Sequence, residues 1–302
     1  MFGTGFRRFA TGSSLLLLFG VMVCPPARGS YLVAGEMTGG TADRFTADGQ
    51  KTVLSSTLGQ PLGVAIDAAG NVFVAEISGD RITEISPSGT QHTFYQFDSQ
   101  VDNPEGLTIG PDGALYVCGT IDNPTSGVHN VYRIDATGHA TVYASVGMQE
   151  SGGLVFDADG NLYVSDLYNN GTLWKVTPDK QVSTFVTGQG YMTGLAIAPD
   201  GHTIFAATWL YNTVLRITPD GQSSVFATPD TPWGLTFDST GNLYVGQSTQ
   251  ITKYDTNGVP SVFATGLHDV RGLASAPEPS TLALLGSVAL AGLITRRKMR
   301  RR

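Results

Sequence analysis

Apolar and polar positions alternate along most of the chain in short runs, and each run is broken by Gly, Asp, Asn or Pro. The stretch from Glu150 to Gly188, ESGGLVFDADGNLYVSDLYNNGTLWKVTPDKQVSTFVTG, shows the pattern in full. It predicts four strands: GLVFD, then NLYVSD after an Asp-Ala-Asp-Gly turn, then TLWKV, then VSTFVT after a Pro-Asp-Lys turn. Period-two alternation with β-branched and aromatic residues marks the strands, and the turn formers mark their ends.

The same unit recurs. Aligned on the glycine that opens the first strand, five copies begin at Gly63, Gly106, Gly153, Gly194 and Gly234, and a second glycine follows seven residues later at Gly70, Gly113, Gly160, Gly201 and Gly241. Spacings of 38 to 47 residues with four strands per unit suit propeller blades and not helical solenoids. A sixth opener, Arg271-Gly272-Leu273, has no strands after it, while YLVAGE, ADRFT and KTVLSS stand unclaimed at the start, within 30–56. The expected fold is therefore all-β: a six-bladed β-propeller of four-stranded blades, closed by pairing the C-terminal strand with three N-terminal strands. Closure removes the exposed sheet edges that invite aggregation.

Charge refines this picture. The formal net charge is −7, but the two ends are basic, and residues 30–276 hold 9 basic against 24 acidic residues, about −15. A body this acidic repels phosphate backbones, which excludes a nucleic acid partner. Arg7 and Arg8, the apolar run from Leu15 to Cys24 and Ala27-Arg28-Gly29 form a secretory signal peptide over residues 1–29, cut by signal peptidase before Ser30. The arginine pair fits a twin-arginine signal poorly, and Val21-Met22-Val23 lacks the small residues of a lipoprotein site at Cys24. Removing the leader leaves Cys118 alone, so the mature chain has no intramolecular disulfide; in ALYVC this cysteine reads as core.

Units such as GLVFDADGNLYVSDLYNNGTLWKV and GVAIDAAGNVFVAEISGDRITEI resemble NHL repeats, and they also resemble the SMP-30/gluconolactonase and virginiamycin B lyase-like propellers, over roughly residues 31 to 275. The resemblance bears on architecture more than on chemistry, because such folds host binding modules, lactonases and lyases alike. Residues 277–302 resemble a PEP-CTERM sorting signal: Pro277, Glu278 and Pro279 match its tripeptide, the apolar LALLGSVALAGLI follows, and RRKMRRR ends the chain. The 13 apolar residues make about 20 Å of helix, short of a hydrocarbon core of about 30 Å. A plain tail anchor with cytoplasmic arginines is the second reading of this tail. The resemblance implies recognition by an exosortase, cleavage near the motif and delivery to the cell envelope or an extracellular matrix, after transient anchoring in the cytoplasmic membrane. The expected organisation is leader 1–29, propeller 30–276 and sorting tail 277–302.

In a propeller the first strands open near the central channel, and the loops between second and third strands rise to the same face. The residues before the opening glycines, Leu62, Glu105, Gly152, Thr193, Trp233 and Arg271, are expected to line that mouth. Glu76, Asp166, Tyr168, Trp209 and Tyr211 join them from the second-to-third-strand loops, and Glu150, Tyr191, His268 and Asp269 from the inter-blade loops. Of the other histidines, His92, His139 and His202 follow turns and read as structural, and His129 falls in the longest loop, 120–130, where a solvated position is expected. Asp157-Ala158-Asp159-Gly160 resembles the start of a calcium loop, yet no Glu follows at the required spacing, so a hairpin turn is the expected role.

Two functions fit these residues. In the first, the propeller is an exported, non-enzymatic binding module for extracellular polysaccharide or another envelope protein; Trp209, Tyr211, Tyr168, Tyr191 and Trp233 stack on sugar rings while Glu105, Asp166 and Arg271 hydrogen-bond hydroxyls or carboxylates. The second follows from the family resemblance: a lactonase holding a divalent cation such as calcium or zinc, with Glu105 in a matching ligand position and Glu76 or Asp166 reaching in, or a lyase with His268 and Asp269 as acid-base candidates. Only one of the six opening positions, Glu105, carries a carboxylate, which favours the first.

Overall fold

The structure is a computed structural model that describes residues 31–97, 101–121, 129–168 and 170–276. The expected signal peptide and the sorting tail with Pro277, Glu278 and Pro279 lie outside the described residues.

The described strands, in chain order, are β1 (Tyr31–Glu36), β2 (Thr41–Thr46) and β3 (Lys51–Ser55); β4 (Pro61–Ile66), β5 (Val72–Glu76), β6 (Arg81–Ile85) and β7 (Gln91–Gln96); and β8 (Val101–Ile109), β9 (Leu115–Ile121), β10 (His129–Ile134) and β11 (Ala140–Val146). There follow β12 (Ser151–Phe156), β13 (Leu162–Asp166), β14 (Leu173–Val176) and β15 (Val182–Val186); β16 (Met192–Ile197), β17 (Ile204–Thr208), β18 (Thr213–Ile217) and β19 (Ser223–Ala227); β20 (Leu235–Phe237), β21 (Leu243–Gly246), β22 (Gln250–Tyr254) and β23 (Pro260–Thr265); and last β24 (Val270–Ser275). They form six four-stranded antiparallel sheets, and the first has the order β24-β1-β2-β3. Leu32 pairs with Ser275 and Gly35 with Gly272, so the two ends of the chain close the ring in one blade, as the repeat count predicts.

The burial pattern explains why these residues form blades. The second strands VFVAE, LYVSD and IFAAT are buried at every position, sandwiched between neighbouring sheets, while outer strands such as QHTFYQ and VSTFV are mostly exposed. The apolar core is split into clusters that each join two adjacent blades: Phe73, Ile82, Leu107, Val117 and Ile134 join the second to the third, and Tyr163, Leu173, Met192 and Ile204 join the fourth to the fifth. Burial of this kind stabilises by about 25 cal/mol per Å² of apolar surface, and no blade achieves it alone.

The two glycine series have separate causes. Gly160 and its equivalents sit at positive φ in the turn between first and second strands, where L side chains are strained. The opening glycines mark the closest approach of innermost strands: a Cβ on Gly194 would collide with the carbonyl oxygen of Trp233 in the next blade. The turn itself is fixed by its aspartate. Asp157 accepts from the backbone N–H of Asp159 at 3.0 Å and of Asn161 at 2.8 Å, from Asn161 Nδ2 at 2.8 Å and from the Tyr163 hydroxyl at 3.2 Å. Asp238 repeats these contacts with Thr240, Asn242 and Tyr244. The Asp-Ala-Asp-Gly segment is thus a hairpin turn with its first carboxylate fully used.

His129 departs from expectation. It opens β10 and is buried, paired across the ladder with Val146, because β10 starts earlier than the loop-rich sequence before it suggests.

Candidate functional site

First strands run from one face of the ring to the other, so their opening residues form a circle around the channel. A cavity of about 390 Å³ lies there. It is lined by all six predicted openers, Leu62, Glu105, Gly152, Thr193, Trp233 and Arg271, and by Glu150, Tyr168, Tyr191 and Trp209. A second circle was not anticipated: Met37, Ile77 and Leu167, together with Trp209, each directly follow a second strand and close the upper wall. The signal for them is positional, since in these four blades the residue after the second strand emerges at the mouth.

Five predicted site residues are not part of the lining. The carboxylate of Glu76 is taken by Arg81, whose Nε and Nη2 each donate at 2.9 Å, by the Gly59 N–H at 2.5 Å and by the Thr83 hydroxyl. Asp166 accepts from the backbone N–H groups of Gln149, Glu150 and Tyr168 at 3.1, 3.4 and 3.2 Å. Both side chains tie the incoming inter-blade loop to a second strand. Glu36 does the same for His268, whose N–H donates at 2.7 Å, and Gln247 donates to the Asp230 carbonyl at 2.8 Å. A carboxylate in this position satisfies loop amides that burial would otherwise leave unpaired, so it is not free to reach the channel. The His268 side chain is exposed outside the cavity, and Asp269 meets the site only through its 2.9 Å ion pair with Arg271. Tyr211 lies on the rim, its ring against Gly190.

Within the cavity the polar groups are few and specific. Ser151 donates to Glu105 at 3.0 Å. Burial pushes the Glu105 carboxyl up to about 8, with the charge of Glu150 adding to the rise and the Ser151 hydroxyl and Arg271 opposing it. Glu105 is therefore mostly protonated at neutral pH and able to donate a hydrogen bond. Glu150 is also raised, by burial and then by Asp166. Behind them Cys118 is fully buried, and its thiol is pushed up to about 12 by burial, so it is inert packing as expected. Across the cavity the Arg271 guanidinium carbon lies 3.4 Å from the centre of the Trp233 ring, and Trp233 packs on Trp209 with ring centroids 5.6 Å apart. Arg271 Nε is buried with no hydrogen-bond partner among the described residues.

These residues do not fit a resident divalent cation. Hard cations need several convergent oxygens, and the mouth offers Glu105, held neutral by its surroundings, beside Glu150 and facing the positive Arg271. Among the described residues, three potential metal-ligating side chains converge at Asp157, Asp159 and His202, in the turns of the opposite face, where the Asp157 carboxylate is already consumed by its turn.

Comparison with known proteins adds the lineage. Lactonase drp35 of Staphylococcus saprophyticus is 26% identical over 152 residues, covering 47% of this chain and 46% of that protein. The Staphylococcus epidermidis lactonase drp35 is 23% identical over 147 residues, 46% and 44% of the two chains. The chain spans about half the length of the curated relatives it matches. Among solved structures, a chain of a nidogen/laminin complex superposes with a TM-score of 0.71 at 17% identity, covering 83% of this chain and 99% of that one. A gluconolactonase from Xanthomonas campestris gives 0.64 at 16%, with 82% and 89% covered, and virginiamycin B lyase from Staphylococcus aureus gives 0.60 at 17%, with 82% and 88% covered. At such identities these structures share the fold. A PEP-CTERM protein-sorting motif matches residues 275–301, which marks the chain for export and for membrane-anchored, exosortase-mediated sorting. The virginiamycin B lyase family matches residues 21–253, most of the chain, with four blades whole and most strands of the other two, and to that family this six-bladed propeller belongs.

Proposed function

We propose that the exported propeller, residues 30–276 between a cleaved leader and the sorting tail, is a binding module of the cell envelope or extracellular matrix whose channel mouth takes one ring of a polysaccharide. The observation that carries this reading is the continuous stack of Arg271, Trp233 and Trp209 facing the Glu105–Ser151 pair across a cavity of about 390 Å³. An aromatic face packs on the C–H face of a sugar ring, and a protonated Glu105 donates to a hydroxyl while the unpartnered Arg271 Nε–H donates to another oxygen. The volume lies near the lower end of the range for small-molecule pockets, about 300–1,000 Å³. Isothermal titration calorimetry with neutral mono- and disaccharides tests it. Trp233→Ala is expected to weaken binding about tenfold or more, a loss of about 1.4 kcal/mol. Unchanged affinity in Trp233→Ala sinks the reading.

A second reading rests on Glu105 itself. A carboxyl held near 8 in an apolar cleft is suited to acid-base work, and this is a lyase family. Glu105 would then serve as the proton donor or acceptor in opening a lactone or in an elimination, without a metal. Turnover of a panel of lactones that disappears in Glu105→Gln, with stoichiometric metal absent from the purified protein by mass spectrometry, is the result expected of an enzyme. Turnover that requires added calcium or zinc would contradict the donor set seen here.

A further inference from the structure

The rim of the mouth is not uniform. After their second strands, the first blade continues as Met37-Thr38-Gly39-Gly40, the second as Ile77-Ser78-Gly79-Asp80 and the sixth as Gln247-Ser248-Thr249. The fourth and fifth blades carry Leu167-Tyr168 and Trp209-Leu210-Tyr211 instead. Tyr168 is 50% exposed, Trp209 40%, Leu210 53% and Tyr211 60%. The other large exposed apolar residues, such as Val53, Val142 and Val262, are scattered valines on the outer strands. Such isolated residues need no explanation, but a contiguous exposed aromatic patch beside a cavity does.

The patch is also built. Tyr168 packs edge-to-face on the cavity-lining Tyr191 at 5.6 Å, and Trp209 packs on Trp233 inside the cavity at 5.6 Å. Tyr211 lies on Gly190, where any side chain would collide with its ring. Each outer aromatic is thus braced from below, which removes rotamer freedom before a ligand arrives. The result is a strip of aromatic surface that starts at the Trp233 wall of the cavity and continues outward over one third of the rim.

We propose that this strip is an outer subsite, and that the ligand is a linear neutral oligosaccharide lying across the fourth and fifth blades with one ring in the cavity. This deepens the binding reading above and rests on it. A single ring would fill the cavity and leave the outer end of the strip at Leu210 and Tyr211 unused; a chain extends along it. Tyrosine and tryptophan present a flat face with a polar tip, which matches sugars, whose ring faces are apolar and whose edges carry hydroxyls. The acidic body, about −15 over residues 30–276, disfavours a polyanionic chain.

The test uses the exported protein against oligosaccharides of one to six rings, drawn from neutral hexose and N-acetylhexosamine backbones, by glycan array and then calorimetry. Affinity is expected to rise with chain length. Leu210→Ala/Tyr211→Ala together, neither of which lines the cavity, are expected to cut hexasaccharide affinity about tenfold while leaving single-ring binding unchanged, and Trp233→Ala to reduce both. Equal affinity for all lengths, or full hexasaccharide binding by the Leu210→Ala/Tyr211→Ala variant, overturns the outer subsite and leaves the cavity reading intact. Failure of every neutral sugar to bind overturns both. Circular dichroism melting of each variant separates loss of binding from loss of fold, and preferential capture of apolar peptides over sugars would assign the strip to a protein partner and refute the proposal.

Discussion

Carboxylates in this molecule fall into two groups with opposite pH behaviour. Glu36 and Glu76 are held below their usual range: burial works against the charge, but Lys51, Asp43 and the His268 N–H for Glu36, and Arg81, the Gly59 N–H and Thr83 for Glu76, outweigh it. Their contribution is present above about pH 4.5 and is lost as pH falls through their lowered values. Asp43 and Glu105 are the reverse. Burial and the neighbouring Glu36 push Asp43 up to about 6, with Oδ1 buried and unpartnered although Lys51 Nζ lies 2.7 Å from Oδ2. A raised carboxyl favours the protonated folded state, so the stability it brings is complete below its ordinary value. That stability is lost as pH rises through the folded value, from 3.8 to about 6 for Asp43 and from 4.5 to about 8 for Glu105. Asp43→Asn, which turns a donor toward Glu36, is therefore expected to raise stability by roughly 1–3 kcal/mol at about pH 8 and by little at about pH 4. Glu76→Gln, which leaves Arg81 without its anion, is expected to lower it at neutral pH. Urea titrations at both pH values check the pair, and an Asp43→Asn gain that is larger in acid than in base would show the assignment to be wrong. For the cavity the same logic gives a binding signature: ligand affinity that depends on a donated Glu105 proton declines above about pH 8, and the decline is absent in Glu105→Gln.

Strands and turns carry the part of the fold that the sequence makes legible. Alternating residues fix a strand because its faces are packed differently, and the glycine pairs fix the blade because each has its own geometric cause, one a left-handed turn and the other a near contact of neighbouring innermost strands. Those causes predict different penalties. Gly194→Ala forces the first strands of the fifth and sixth blades apart and is expected to cost about 2 kcal/mol or more. Gly89→Ala, at φ 88 with nothing within 4 Å of the added methyl, meets only backbone strain, about 1 kcal/mol. Thermal melts of the two variants should differ accordingly, and equal losses would remove steric contact as the explanation. The ring of openers was legible for the same reason: all six predicted residues line the cavity. What escaped reading is the direction of a polar side chain at a strand end. Glu76 and Asp166 stand where a side chain could turn to the channel or back to the inter-blade loop, and the pattern around them is identical in the two cases. The choice is made by loop amides such as Gly59 N–H and Gln149 N–H, which come from residues distant in the repeat and need an acceptor. His129 escaped for a related reason, because its burial depends on the packing of β10 and not on its own neighbours in sequence.

At the scale of the whole molecule, the closing blade decides which way the propeller faces. The strand β24 begins at Val270 beside the mouth, where Arg271 lines the cavity, and runs down the channel to Ser275. Ala276 then donates its N–H to Tyr31 at 2.9 Å, and both residues border a smaller cavity of about 150 Å³ on the opposite face, together with Asp238, Thr240 and Thr46 from the lower turns. The sorting motif follows directly. Only residues 277–281 separate Ala276 from the apolar run that starts at Leu282, and five residues span at most about 18 Å. While the chain is anchored by that run, the lower face must lie against the membrane and the cavity must open away from it, because the strands set the two faces about 20 Å apart. The mouth then faces away from the bilayer for as long as the chain is anchored. A single cysteine at Thr240 and another at Tyr211 distinguish the faces, since Cys118 is buried and does not react. With a donor dye on each in turn and an acceptor lipid in the bilayer, energy transfer is expected to be stronger from position 240 than from position 211. Equal transfer, or stronger transfer from the rim, would mean that the tether does not orient the propeller and that access to the mouth is controlled by something other than the direction of β24.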